Sequence, residues 1–144
     1  MEFLNAMIKE TLRFSSPVAG VFPRIALEDH ELDGLKVKKG TLIGLSLLGV
    51  GYDPDNYEDP FNFNPNRWVG TNPIKDPFQF IPFSSGNRNC IGQHLALIET
   101  RLILAELLSR YDFELIEGYK LRMTNRFMYE PYEPLALKMK KISS

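Results

Sequence analysis

Phe83-Ser84-Ser85-Gly86-Asn87-Arg88-Asn89-Cys90-Ile91-Gly92 decides how this chain is read, and it contains the only cysteine. A thiolate is a strong, soft metal ligand. One thiolate cannot hold a bare metal ion, but it can hold an iron whose equatorial positions a macrocycle already fills. Arg88, two residues earlier, offers a fixed charge suited to a carboxylate. Gly86 and Gly92 let backbone approach something flat and bulky.

Three readings of Cys90 stand side by side. A single cysteine is commonly a small buried hydrophobe. It can be a nucleophile with a histidine base, and His94 lies one helical turn on. It can be an axial ligand, the reading that accounts for the residues around it. A helix predicted to start just after Cys90 would direct unpaired N–H groups and positive dipole character at the sulfur, which favours a thiolate.

Working outward, the bulk numbers exclude more than they assign. The chain has 144 residues, 44% hydrophobic and 24% charged, with formal net charge −1. That length supports one domain. Near-neutral charge gives no electrostatic case for nucleic acid or an anionic membrane. One cysteine excludes an internal disulfide framework and a multi-cysteine zinc site. No signal peptide or long apolar span is present.

Residues 1–13 carry Phe3, Met7, Ile8 and Leu12 at helical spacing. Residues 21–50 predict a small sheet of hairpins, with strands over 21–27, 35–37 and 41–50, the last running into a short helix. Asp33-Gly34 and Lys39-Gly40 supply the turns. Six of the ten prolines fall within 53–82, a density that excludes long helices and central strands. Phe61, Phe63, Trp68, Phe78, Phe80 and Phe83 call for burial, so this stretch is expected to be an ordered, irregular meander. Residues 91–110 form a long helix, apolar around most of its surface and therefore short of partners within 144 residues. Strands are expected over 113–116 and 135–139, within a terminal region spanning 113–141, with turn-rich chain over 129–134.

Glu10 and Arg13 share a helical face, and Phe63-Asn64-Pro65-Asn66-Arg67-Trp68 follows in the proline-rich stretch. Together with the Cys90 loop these resemble three signatures of the cytochrome P-450 family, in order and at family-like separations. They are E-x-x-R, the meander motif with its arginine, and F-x-x-G-x-R-x-C-x-G. Asn66 departs from the glutamate common in relatives. The resemblance is eukaryotic-like and covers essentially the whole chain.

The resemblance implies a mainly α fold with small β-sheets (α+β), the C-terminal part of a longer P-450 domain. It implies haem b held by Cys90 as axial iron ligand, with Phe83 screening the sulfur, Gly86 and Gly92 admitting the ring, and Arg88 paired with a propionate. Arg24 resembles a second propionate-binding position, although an exposed strand arginine reads equally well. Arg67 would close a structural network with Glu10 and Arg13. Val18, Val21 and Phe127 are candidate substrate contacts. No catalytic residue is assigned, because the distal oxygen-activating helix of the family has no counterpart in these residues.

The activity implied is dioxygen-dependent hydroxylation of a small, lipophilic organic substrate, with electrons from an NADPH-cytochrome reductase type of partner. The alternative is a non-catalytic remnant or haem-binding fragment. Placement at the endoplasmic reticulum follows only by analogy with relatives.

Overall fold

The computed structural model describes residues 1–20, 23–70, 74–125 and 128–142. The described residues form three α-helices and four two-stranded antiparallel sheets, and the first helix packs against the other two helices and the meander. Helix α1 spans Glu2–Phe14 and ends where Ser15, Ser16 and Pro17 deny it further helical residues. Its apolar stripe is not its most buried face. Ala6, Glu10 and Arg13, at i, i+4 and i+7, are buried, whereas of the stripe only Ile8 is buried and Phe3 is 56% exposed. The side of α1 that meets the rest of the fold therefore carries two charges.

The sheet region divides in two. Strand β1 (Arg24–Ile25) pairs with β4 (Leu42–Ile43), while β2 (His30–Leu32) and β3 (Leu35–Val37) form a separate hairpin. Asp33 and Gly34 both take positive φ at its tip, as a two-residue hairpin turn requires. One continuous sheet was expected, and β2 was not foreseen. It is three residues long with every side chain exposed, so it carries no burial pattern to read. Helix α2 (Leu47–Tyr52) follows, capped by the Ser46 hydroxyl accepting from Gly49 N–H.

The meander contains no long element. Single 3-10 turns at Pro65–Trp68 and Pro77–Gln79 each begin with proline and are capped by Asn64 and Asp76. Burial of its aromatics is uneven. Trp68 is buried and Phe80 and Phe83 half-buried, but Phe61 and Phe78 are 76% and 63% exposed. Phe61 instead stacks one face on Tyr52, at 5.5 Å between centroids.

Helix α3 runs Gln93–Arg110, beginning two residues later than expected because Ile91 and Gly92 form a turn. Strand β5 (Tyr111–Leu115) pairs with β8 (Leu137–Lys141), setting Asp112 opposite Lys140 and Glu114 opposite Lys138. The stretch expected as turns holds β7 (Tyr129–Pro131), paired with β6 (Met123–Asn125). Its proline and three-residue length concealed it.

The described core is small: Ala6, Ile8, Ala26, Leu47, Tyr57 and Trp68. Total accessible surface is 11175 Å², against roughly 7,600 Å² for a compact monomer of this mass. On α3, Leu95, Ile98, Leu102, Ile103 and Leu108 are all more than half exposed. Packing around α1 is nonetheless tight at one point. A Cβ on Gly51 would lie 2.5 Å from the Arg13 carbonyl oxygen. Gly51→Ala is expected to cost about 1–3 kcal/mol through this overlap with backbone, read as a lowered urea midpoint at unchanged m-value.

Candidate functional site

The Cys90 loop closes on itself. Cys90 N–H donates to the Phe83 carbonyl at 2.9 Å, Asn89 N–H to Gly86 at 3.2 Å, and Gln93 N–H to the Cys90 carbonyl at 3.3 Å. Gly86–Arg88 make a 3-10 turn between. Gly86 has φ +75 and nothing within 4 Å of an added Cβ, so its requirement here is conformational. The Cys90 thiol is free and exposed. Its sulfur lies beside Gly92, the N-cap of α3, which has no side chain to cap the first turn.

Arg88 is exposed and makes no ion pair among the described residues, and Arg24 is exposed on β1. Phe83 and Gly92 are half-buried, while Ile91 is fully exposed next to the sulfur. His94 is exposed and forms no hydrogen bond with Cys90 among the described residues, so no nucleophile–base pair is assembled there. No group of three His, Cys, Asp or Glu side chains able to hold a metal ion occurs among the described residues. The donor set is thus one accessible thiol, one accessible guanidinium and exposed apolar surface. That set suits an iron already held by a planar macrocycle and does not suit a bare ion.

Val18 is half-buried, and its neighbour Pro17 accepts a 2.7 Å hydrogen bond from Tyr129 N–H, which joins the 17–20 segment to β7. Val21 and Phe127 lie outside the described residues.

Glu10, Arg13 and Arg67 are brought together where α1 meets the meander. The Glu10 carboxylate, with no exposed surface, accepts from Arg13 Nε at 2.9 Å and Nη2 at 2.8 Å, and from Arg67 Nε at 3.2 Å. Asn64 N–H and Trp68 Nε1 each donate to it at 2.8 Å. Arg13 also donates to the carbonyls of Gly51 (2.6 Å), Pro60 (2.7 Å) and Asn62 (3.2 Å). Arg67 donates to the Glu58 carbonyl at 3.0 Å and, at 3.4 Å, to those of Asp59 and Asn62.

The sequence model of the Cytochrome P-450 family matches residues 1–139. The chain belongs to the cytochrome P-450 family. Rat cytochrome P-450 3A2 is 32% identical over 96% of this chain and 28% of its own length. The probable cytochrome P-450 4s3 of Drosophila melanogaster is 43% identical over 78% of this chain and 23% of its own. A retinoic-acid-bound cyanobacterial CYP120A1 superposes with a TM-score of 0.91 at 29% identity, covering 99% of this chain and 33% of that one. The chain therefore spans about a third or less of the P-450 proteins it matches.

Within this P-450 chain, the electrostatics centre on Glu10. Burial alone would raise its carboxyl. Hydrogen bonds from Arg13, Asn64 and Trp68, with the Arg13 charge, overcome that and hold it at about 2, against an ordinary 4.5. Burial pushes the Tyr57 phenol up to about 12. Sequence reading missed three participants: Asn64, Trp68 and Tyr57. Asn64 could have been found as a capping residue ahead of Pro65; the other two carried only a signal for burial.

Glu10→Ala should cost about 3–5 kcal/mol, because two guanidinium groups lose their shared anion. The depressed carboxyl also makes stability pH-dependent. Its contribution is complete above the unfolded value of 4.5 and is lost as pH falls toward about 2. Denaturant titrations between pH 6 and pH 2 should show a loss on the order of 3 kcal/mol from this group. Glu10→Gln should remove that component of the slope.

Proposed function

We propose that this chain carries the proximal, thiolate-bearing part of a haem-dependent monooxygenase. The accessible Cys90 thiol, in a loop closed by its own N–H on Phe83, is the observation that carries the reading. Cys90 would hold the iron of haem b. Arg88 and Arg24 would pair with its propionates, which need fixed positive partners once out of water. Gly86 and Gly92 would admit the ring edge, and half-buried Phe83 would keep water from the sulfur. Unpaired N–H groups in the first turn of α3 would moderate the charge on the thiolate.

When bound, such a group supplies dioxygen activation, with one oxygen atom entering an organic substrate and the other leaving as water. Val18 would contribute to the wall facing that substrate, a small lipophilic molecule, and electrons would come from a reductase. Placement at the endoplasmic reticulum belongs to the same family-based reading; no helix among the described residues is long and apolar enough to cross a membrane.

A second reading is a haem-binding piece without turnover of its own. It is favoured by the uncovered apolar face of α3, which no described residue shields.

Reduced protein supplemented with haem and carbon monoxide should give the red-shifted Soret band of a thiolate-ligated iron. Cys90→Ser should abolish it. A histidine-type band in the unaltered chain would sink the Cys90 assignment and point to His94 or His30. Arg88→Ala should retain the band while weakening haem affinity by about ten- to a hundredfold, the loss of a charge-assisted pair. Unchanged affinity in a haem titration would remove Arg88 from the propionate site.

A further inference from the structure

We infer that Tyr57 and Trp68 are positioning residues that couple the buried Glu10 network to the Cys90 loop. Its consequence for haem rests on the function proposed above; its test does not. Both rings are almost fully buried, at 3% and 7% exposure, and their centroids are 6.3 Å apart. Each has one end in the charged network. Trp68 Nε1 donates to Glu10 Oε2 at 2.8 Å. The guanidinium carbons of Arg13 and Arg67 lie 5.2 and 5.9 Å from the Tyr57 centroid.

The other end of each ring meets the segment that leads into the loop. The Tyr57 hydroxyl donates to the Gln79 carbonyl at 2.8 Å. Trp68 packs against the Phe80 ring at 4.8 Å. From Phe80 the chain needs only Ile81 and Pro82 to reach Phe83, whose carbonyl receives the Cys90 N–H. That link is stiff. Pro82 fixes its own φ and restricts Ile81, and Ser84 N–H closes back on the Ile81 carbonyl at 2.9 Å. A displacement at residues 79–80 is therefore passed to Phe83 and to the sulfur rather than absorbed between them. Neither aromatic touches the thiol; both act through the 79–83 segment.

Cys90 is the only thiol, so a trifluoromethyl reagent labels the loop at one site. Fluorine spectra of the labelled, haem-free chain should show one dominant resonance. Tyr57→Phe removes only the bond to Gln79. Trp68→Phe removes the bond to Glu10 and keeps an aromatic ring. Each should shift the balance of loop conformers by about three- to tenfold, the equilibrium value of one hydrogen bond, and so populate a second resonance. Lys38→Ala, which breaks the exposed pair with Asp29, should leave the spectrum as it was.

Should Trp68→Phe fail to unfold cooperatively in urea, Tyr57→Phe decides alone. The coupling is overturned if Tyr57→Phe folds and leaves the resonance unchanged, or if Lys38→Ala perturbs it equally. Absence of a thiolate-type carbon monoxide band in the unaltered protein would sink the haem reading alone, since the fluorine spectra are recorded without haem.

Discussion

One carboxylate with no access to water holds this fold to its meander. Glu10 receives five hydrogen bonds, two from Arg13 and one each from Asn64, Arg67 and Trp68. One negative charge faces two guanidinium groups, so the cluster carries an excess positive charge. Main-chain carbonyls take it up: Gly51, Pro60 and Asn62 around Arg13, with Glu58, Asp59 and Asn62 around Arg67. Residues 53–64 form no strand or helix that would pair those carbonyls among themselves. A proline-rich chain can stay irregular and ordered here because its carbonyls have cationic partners.

Apolar burial does less in these residues than in an ordinary domain. Among the described residues six hydrophobic side chains are buried, and the accessible surface exceeds the compact-monomer value by about half. Each sheet has two strands, and an isolated two-stranded sheet is marginal in water. The apolar face of α3 needs a cover that the described residues do not supply. The best-fixed part of the molecule is therefore where α1, α2 and the meander meet through polar contacts. The Cys90 loop is joined to that part through residues 79–83.

Legibility in the sequence followed the reach of each signal. Helix α3 was plain because eighteen residues repeat an apolar pattern. The hairpin turn at Asp33-Gly34 was plain because its residues tolerate positive φ. Strands of three residues are too short to show alternation, so β2, β6 and β7 were lost. Glu10 and Arg13 could be placed on one face by spacing, and Arg67 was joined to them by resemblance. What spacing could not show was that this face is the buried one, because two charges on a helix ordinarily mark solvent. Trp68 read as an aromatic calling for burial, and Tyr57 was not singled out. Their polar ends, which find Glu10 and the Gln79 carbonyl, become visible only when the chain is folded.

Buried ion pairs are often replaceable by apolar side chains of similar volume at no loss of stability. That exchange is not open to this cluster. Leucine or methionine in place of Arg13 would leave the Gly51 and Pro60 carbonyls without the donor that reaches them, and each orphaned buried acceptor costs about 1–3 kcal/mol. Arg67 in turn bridges Glu10 to the Glu58 carbonyl, on the exposed side of the meander. Keeping both arginines while neutralising Glu10 would leave two neighbouring cations without the anion they share. The three charges are therefore required as a set by the irregular backbone around them. The same backbone continues into the Gln79–Phe83 segment, so the geometry at the Cys90 sulfur depends on a polar cluster that does not touch it.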